Sequence, residues 1–304
     1  MKIRWTGQIG RMRTLPLHFM ILPGLALVLI YCYGPMIGIA MAFERYIPTR
    51  GITGSEWIGL DNFRYLLDMP DSMDVLRNTI VISFMKIVVG LFVPIVVALL
   101  LNEVRKESFK RGIQTMIYLP HFLSWIILGG VLIDILSPTN GFVNDILGWF
   151  GIEPIYFLGS NNWFRVVLVT SDVWKEFGFN TIVYLAALTG INPSLYEAAI
   201  VDGANRWKQT FHVTLPGMLP IIVLLAVLSL GNVLNAGFDQ VFNLYSPQVY
   251  ETGDIIDTFV YRTGLVETQY GVATAAGLFK SVVSCIFVIA AYVMAYRFAN
   301  YRIF

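Results

Sequence analysis

Six ionisable side chains stand inside long apolar stretches: Lys86, Asp134, Asp172, Lys175, Glu176 and Lys280. A charge in hydrocarbon is costly, so such groups pair with one another, meet a partner or line an interior path. Asp172 and Glu176 are four residues apart, which puts both carboxylates on one helix face, and Lys175 is within reach of Asp172 at a spacing of three. From the residues alone two readings stay open. One is an interhelical ion-pair network in which Lys86 or Lys280 answers Asp172 or Glu176; the other is direct contact with a solute. Other chemistry is poorly served. His18, His121 and His212 lie far apart with no ligand-pair spacing, and no zinc pair or serine–histidine arrangement suits an intramembrane enzyme. Cys32 and Cys285 fall in apolar runs and read as small buried hydrophobes. There is no G-x-x-x-x-G-K-[ST] phosphate loop, and a net charge of +1 gives no field that would draw in nucleic acid.

A second constellation fills residues 192–220, NPSLYEAAIVDGANRWKQTFHVTLPGMLP. Ser194 with Glu197 three residues on predicts a capping box, and Ala198 and Ala199 continue a short helix with little bulk. Asp202-Gly203 marks a sharp turn, because glycine accepts backbone angles that other residues avoid. Asn205 to His212 then reads as an amphipathic stretch, with Arg206 and Lys208 on one side and Trp207 and Phe211 near the other. Leu215-Pro216 is expected to end it. Two short helices folded at a glycine make a knob that can seat in a partner's groove. They also suit a helix pair resting on lipid headgroups.

The elements that carry these residues follow from composition. Of 304 residues 56% are hydrophobic and 13% charged, with a mean hydropathy of +0.66; a soluble domain carries about 25% charged residues. About 20 mostly apolar residues cross a bilayer as a helix, and six segments qualify, at about 17–42, 78–101, 113–136, 163–188, 217–235 and 272–296. The chain is therefore expected to be an all-α integral membrane protein of six transmembrane helices, forming one domain over 1–304. The first run is too long for a signal peptide and lacks a small-residue cleavage site, so it reads as a retained span after a cytoplasmic segment 1–16. With both termini cytoplasmic, the inner segments hold Lys2, Arg4, Arg11, Arg13, Arg105, Lys106, Lys110, Arg111, Arg206, Lys208, Arg297 and Arg302. These face only Glu103, Glu107, Glu197 and Asp202, as the positive-inside rule requires, whereas the outer segments are predominantly acidic. Pro23, Pro35, Pro94 and Pro120 are candidate kinks or hinges. The outer loops, the longest about 35 residues, are too short for a sizeable receptor domain, so any external solute receptor must be another chain.

The spacing Glu197-Ala198-Ala199, Gly203, Val213 and Leu215-Pro216 closely resembles the EAA motif of the permeases of ATP-driven (ABC) importers, departing only at Val213, where isoleucine is commoner. Gly59-Leu60-Asp61-Asn62-Phe63 and Asn78-Thr79 resemble the maltose-transporter type of carbohydrate permease. Tyr118-Leu119-Pro120-His121-Phe122-Leu123-Ser124-Trp125 looks like the branch that imports oligosaccharides and polysaccharide fragments. The resemblance runs from about residue 15 to the C-terminus and implies the type I importer fold in a bacterial cell membrane. It makes 192–216 the coupling loop, with Glu197, Ala198, Ala199, Asp202, Gly203, Arg206, Leu215 and Pro216 as its residues; a capping role for Glu197 can coexist with that. It implies a second, different permease, two ATP-binding cassette subunits that bind ATP and magnesium, and an external or periplasmic solute-binding protein. This chain would itself be non-catalytic and hold no cofactor. Motion of the docked loops would carry ATP binding into the spans by alternating access.

A saccharide cargo calls for aromatic faces and neutral amides, since a pyranose offers apolar C–H faces and many hydroxyls. Trp174, Asn180, Tyr184, Asn232, Asn235, Phe238 and Asp239 supply such types in spans four and five, beside Asp172 and Glu176; packing is the competing reading of each. Lys86, Lys175 and Lys280 would welcome an acidic sugar such as a uronate. Another small solute, glycerol phosphate or a peptide, is an alternative cargo. An ion-gradient transporter is a further alternative, but it calls for more spans or inverted repeats and leaves the 192–216 loop unexplained.

Overall fold

The computed structural model describes residues 6–299, so Lys2, Arg4 and Arg302 of the charge argument lie outside the described residues. The chain is helical almost throughout. A first helix, α1 (Thr6–Val28), passes through a π turn (Leu29–Tyr33) into a 3-10 stretch (Gly34–Phe43), so that Pro35 sits where the helix tightens. A two-residue ladder, β1 (Glu44–Arg45) on β2 (Glu56–Trp57), flanks α2 (Gly51–Gly54) and leads to α3 (Asp61–Asp68). Then follow α4 (Ser72–Glu103), α5 (Glu107–Tyr118), α6 (Trp125–Ile135), α7 (Phe142–Trp149) and α8 (Asn161–Thr189). The loop helices are α9 (Pro193–Val201) and α10 (Arg206–Gln209), and α11 (Leu215–Leu230) follows. The described residues end with α12 (Phe238–Leu244), α13 (Tyr250–Gly253), α14 (Ile256–Tyr261) and α15 (Tyr270–Ala299).

Four helical stretches among the described residues are long and apolar enough to cross a membrane: Pro16–Phe43, Ser72–Glu103, Arg206–Leu230 and Tyr270–Val293. The segment expected at 113–136 is not one straight helix. Its halves, Glu107–Phe122 and Trp125–Ile135, meet at 102° and make a fifth crossing only if taken together. Pro120 lies in a 3-10 turn, Leu123 is extended, and the Ser124 hydroxyl accepts the Ile127 amide at 3.3 Å, so a new helix starts there with its own cap. The segment expected at 163–188 does form a helix, 29 residues long. Arg165, Asp172, Lys175 and Glu176 give it more charge than the apolar stretches of the other crossings carry.

Two further expectations are corrected. The fifth segment ends at Leu230, not near 235, with residues 231–234 in turns. Leu215-Pro216 does not end a helix: a π turn (Thr210–Thr214) absorbs the missing proline amide, and Arg206–Leu230 runs through as one helical rod. Cys32 and Cys285 are exposed on the chain's apolar flanks rather than buried.

The most extensive helix contact is α4 on α8. At one end of that pair, Ile82, Phe164, Leu168, Val241, Val249 and Ile255 form a buried cluster; at the other, Ala98, Tyr184, Leu188 and Met218 bring in α11. The asparagines of the 59–63 and 78–79 motifs act as staples. Asn62 donates to the Ala42 and Glu44 carbonyls at 3.0 and 2.9 Å. Asn78 donates to the Glu251 carbonyl at 3.0 Å and accepts from Arg165 at 2.7 Å, while the Thr79 hydroxyl accepts the Ile256 amide at 2.9 Å. Each caps backbone that no helix satisfies, which a buried chain requires. By contrast α1 and its continuation show apolar side chains outward from Leu17 to Ile37 almost without interruption.

Candidate functional site

Packing α4 against α8 brings Lys86 to Asp172 at 3.2 Å. The same ammonium donates to the Ala236 carbonyl at 2.7 Å and to Gln240 Oε1. Gln240, fully buried, passes the chain of bonds on through its amide to the Leu168 carbonyl and the Ser171 hydroxyl, both at 2.8 Å. All three donors of a lysine ammonium are thereby used. The network fastens the 231–237 turns and the start of α12 to the α4–α8 pair. Gly237 makes this fit possible: its φ of +91° is in the left-handed region, and a Cβ there would stand 3.1 Å from Lys86 Nζ.

Beside this network lies a cavity of about 360 Å³, between α4, α8, α11 and the turns after α11. Asp172, Glu176 and Asn180 line it from α8, each one turn beyond the last; Ser83 and Lys86 come from α4, and Ser229, Asn232 and Asn235 from the far wall. Two polar groups at this wall, Ser83 Oγ and Tyr184 Oη, are buried without a hydrogen-bond partner, which is unusual for native interiors and suits a site that receives hydroxyls. The lining offers carboxylates, amides and hydroxyls. Its one cation is Lys86, already held on three sides.

The remaining candidates lie elsewhere. Lys175, on the next face of α8, does not take Asp172 as its partner; it meets Glu176 at 3.0 Å, the His121 carbonyl at 2.7 Å and the Trp125 ring at 5.7 Å. Lys280 pairs with Asp257 at 2.5 Å, tying α15 to α14 rather than answering Asp172 or Glu176. Trp174 is half exposed on the opposite face of α8, in an apolar groove with Phe157 and Trp163. Phe238 stacks on Phe242 and leans on Tyr261, and Asp239 is exposed in the first turn of α12. Sequence reasoning did not single out Ser83, Ser229, Gly237 or Gln240, because a lone serine, glycine or glutamine carries no periodic signal.

The 192–216 loop is ordered by local bonds. Asn192, not Ser194, caps α9: its Oδ1 accepts the Ser194 amide at 3.1 Å, and Pro193 fills the first helical position, where no amide is needed. The predicted Ser194–Glu197 box is displaced, and Glu197 and Ala198 are exposed. At the far end the Ala204 amide reaches the Ala199 carbonyl at 2.8 Å and the Gly203 amide that of Ile200 at 3.0 Å. Gly203 takes a φ of +74°. This is the paired-bond helix stop that favours glycine. Asn205 then caps α10 through the Lys208 amide at 3.0 Å. Tyr196 bonds Thr214 at 3.0 Å, and Arg206 meets Glu103 at the end of α4 at 2.9 Å. The knob presents Leu195, Ile200, Val201, Trp207 and Phe211 exposed.

Comparisons with known proteins agree with this architecture. The family model described as "Binding-protein-dependent transport system inner membrane component" matches residues 90–300. The polygalacturonan/rhamnogalacturonan transport system permease YteP of Bacillus subtilis is 42% identical over 95% of this chain and 90% of its own length. LplB of the same organism is 39% identical over 99% and 94%. A solved bacterial ABC transporter involved in the import of the acidic polysaccharide alginate has a chain that superposes with a TM-score of 0.87 at 42% identity, covering 94% of this chain and 96% of that one. A second structure, of an alginate transporter in complex with an alginate pentasaccharide-bound periplasmic protein, matches equally at 41% identity over 97% and 98%. The chain belongs to the family of binding-protein-dependent transport system inner membrane components.

Proposed function

We propose that the chain is the non-catalytic permease subunit of an ATP-driven importer of oligosaccharides or polysaccharide fragments, set in a bacterial cell membrane. One observation carries the mechanism: Arg206–Leu230 is a single helical rod that begins in the knob and ends at the cavity wall. At 1.5 Å per residue its two ends lie roughly 36 Å apart. A push on the knob is therefore delivered to Leu225 and Ser229, which line the cavity. This supports 192–216 as the coupling loop, with Glu197, Ala198, Ala199, Asp202, Gly203, Arg206, Leu215 and Pro216 in it.

The working unit on this reading is one membrane domain over 1–304 with six crossings, counting α5–α6 and α8, and both termini cytoplasmic. It pairs with a second, different permease and two ATPase subunits that bind ATP and magnesium. A solute-binding protein delivers cargo to the other face. A relative named for polygalacturonan/rhamnogalacturonan transport and a structure named for import of the acidic polysaccharide alginate support acidic polysaccharides as cargo candidates. Lys86, Lys175 and Lys280 are each engaged by this chain's own acceptors, so this subunit offers hydroxyl, amide and carboxylate contacts, and a uronate carboxylate would take its cation from another subunit.

The test is to purify the chain with its co-eluting partners, reconstitute the assembly in vesicles and measure ATPase rate against a panel of oligogalacturonates and neutral galacto-oligosaccharides. Stimulation by a saccharide, and no hydrolysis by this chain alone, is the expected result. Uptake that persists without an ATPase subunit would overturn the reading.

A further inference from the structure

The bend of the α5–α6 pair is stitched to the cavity by a single carboxylate. Glu176 lines the cavity, yet its Oε2 reaches the bend at His121 Nδ1, 2.7 Å away, while Oε1 meets Lys175 Nζ on its own helix at 3.0 Å. Lys175 in turn donates to the His121 carbonyl at 2.7 Å, so side chain and backbone of one hinge residue are held by two neighbours on α8. The His121 ring stacks on Phe179, with centroids 4.1 Å apart and planes 5° apart. His121 lies in the 3-10 turn just before the 102° break. Away from the bend, Gly178 lets the end of α5 lie against α8 so closely that a Cβ would fall 1.8 Å from the Ile117 carbonyl oxygen. The α5 half is thus fixed to α8 by close packing, while the bend itself is held by Glu176 at the His121 ring and by Lys175 at the His121 carbonyl.

We propose that His121 and Glu176 form a latch through which cargo in the cavity releases the bend of the broken helix. The proposal rests on the saccharide-importer reading above. A carboxylate has about four acceptor sites, and the Glu176 side chain is about one-third exposed, so saccharide hydroxyls can donate to it. Donation to Oε2 competes with His121. A ligand shifts an equilibrium only through its different affinity for the two states; here the cargo binds better when His121 has let go. Occupancy of the cavity then frees α6 to pivot about Leu123 and Ser124. Asp172, one turn before Glu176, keeps Lys86 and does not touch the bend. The signal therefore passes through Glu176 and not through its neighbour. His121 is on this account a positioning residue.

The experiment uses the whole reconstituted importer and two readouts, the ATPase rate without cargo and the ratio by which saccharide-loaded binding protein raises it. His121→Phe keeps the ring against Phe179 and deletes the bond to Glu176. It is expected to raise the unliganded rate about fivefold, the lower end of typical couplings between sites, and to bring the stimulation ratio close to one. His121→Asn, which restores a short polar group near the Nδ1 position, is expected to recover much of the ratio; Glu176→Ala, which removes the acceptor, should behave like His121→Phe. Co-elution of all subunits certifies that each variant is assembled. If assembled His121→Phe keeps both the unliganded rate and the ratio within twofold of the parent, the latch is overturned. A parent assembly that answers to no saccharide overturns the cargo reading instead. The unliganded rate of His121→Phe still decides the latch in that case, because it needs no cargo.

Discussion

The 192–216 loop and the cavity beside Lys86 are held together in opposite ways. Bonds within the loop span few residues: Asn192 to Ser194, Ala204 to Ala199, Asn205 to Lys208. Those of the cavity join residues far apart in sequence, Lys86 to Asp172 and Ala236, and Gln240 to Leu168. The loop leaves Leu195, Ile200, Val201, Trp207 and Phe211 exposed, whereas the cavity network buries Lys86 and Gln240 among their partners. A docking element must keep its shape whether or not its partner is present, and local bonds secure that. On the proposed function the cavity is a translocation path, which must exist in two shapes, and assembly between separate helices suits that.

The largest expected effect tests the long-range half. Lys86→Met removes a side chain of which only 9% is exposed and leaves Asp172, Gln240 Oε1 and the Ala236 carbonyl without their donor. Breaking a buried ion pair on one side costs about 3–5 kcal/mol; the lower end applies, because Asp172 keeps about a quarter of its side chain exposed. Thermal unfolding of the purified assembly should show the loss, and adding Asp172→Asn to Lys86→Met should recover part of it. A Lys86→Met assembly as stable as the parent would mean that the network does not hold the cavity walls together.

How far sequence reveals each region follows from the same difference. Periodicity and local spacing are visible along a chain, so the knob, its turn at Gly203 and most of the crossing helices were readable. Ser194 was the wrong cap because Asn192 and Ser194 have equally good chemistry; the choice fell to Pro193, whose fixed φ sets the helix start. The Lys86–Asp172 pair was among the partners considered, yet nothing local distinguished it from Lys280 with Asp172, and Asp257 takes Lys280 instead. Gln240 and Ser83 acquire meaning only once α4, α8 and α12 meet. The 102° break was missed because residues 113–136 are apolar enough for one crossing, and hydropathy does not register an extended residue at Leu123.

Two smaller effects sharpen the local half. Gly203 has open space where a Cβ would stand, so its requirement is the left-handed backbone alone. Gly203→Val should cost roughly 1–2 kcal/mol and uncouple ATP hydrolysis from uptake, while Gly203→Asn, which accepts that backbone, should retain coupling. If Gly203→Asn also uncouples an intact loop, close approach by the ATPase subunit becomes the reason for glycine. At the other end of α9, Asn192→Ala should lose about 1 kcal/mol and speed hydrogen exchange at the Ser194 amide; Ser194→Ala should change it little. Reversal of that order would restore Ser194 as the cap.

The smallest effect concerns a bond that joins the knob to α4, from Arg206 to Glu103 at 2.9 Å. Both side chains are largely exposed, at 64% and 48%. An exposed pair of this kind contributes about 0–1 kcal/mol and weakens with salt. Arg206→Ala should leave the unfolding temperature of the assembly almost unchanged. Its effect on coupling separates two roles for the guanidinium. If Arg206 serves only to brace the knob against Glu103, Glu103→Gln should reproduce the Arg206→Ala phenotype, and high salt should erase the difference between variant and parent. If Arg206 also touches the ATPase subunit, Arg206→Ala should reduce stimulated hydrolysis well beyond Glu103→Gln. The knob would then be a docking surface held in shape by its own backbone, as the contrast with the cavity implies.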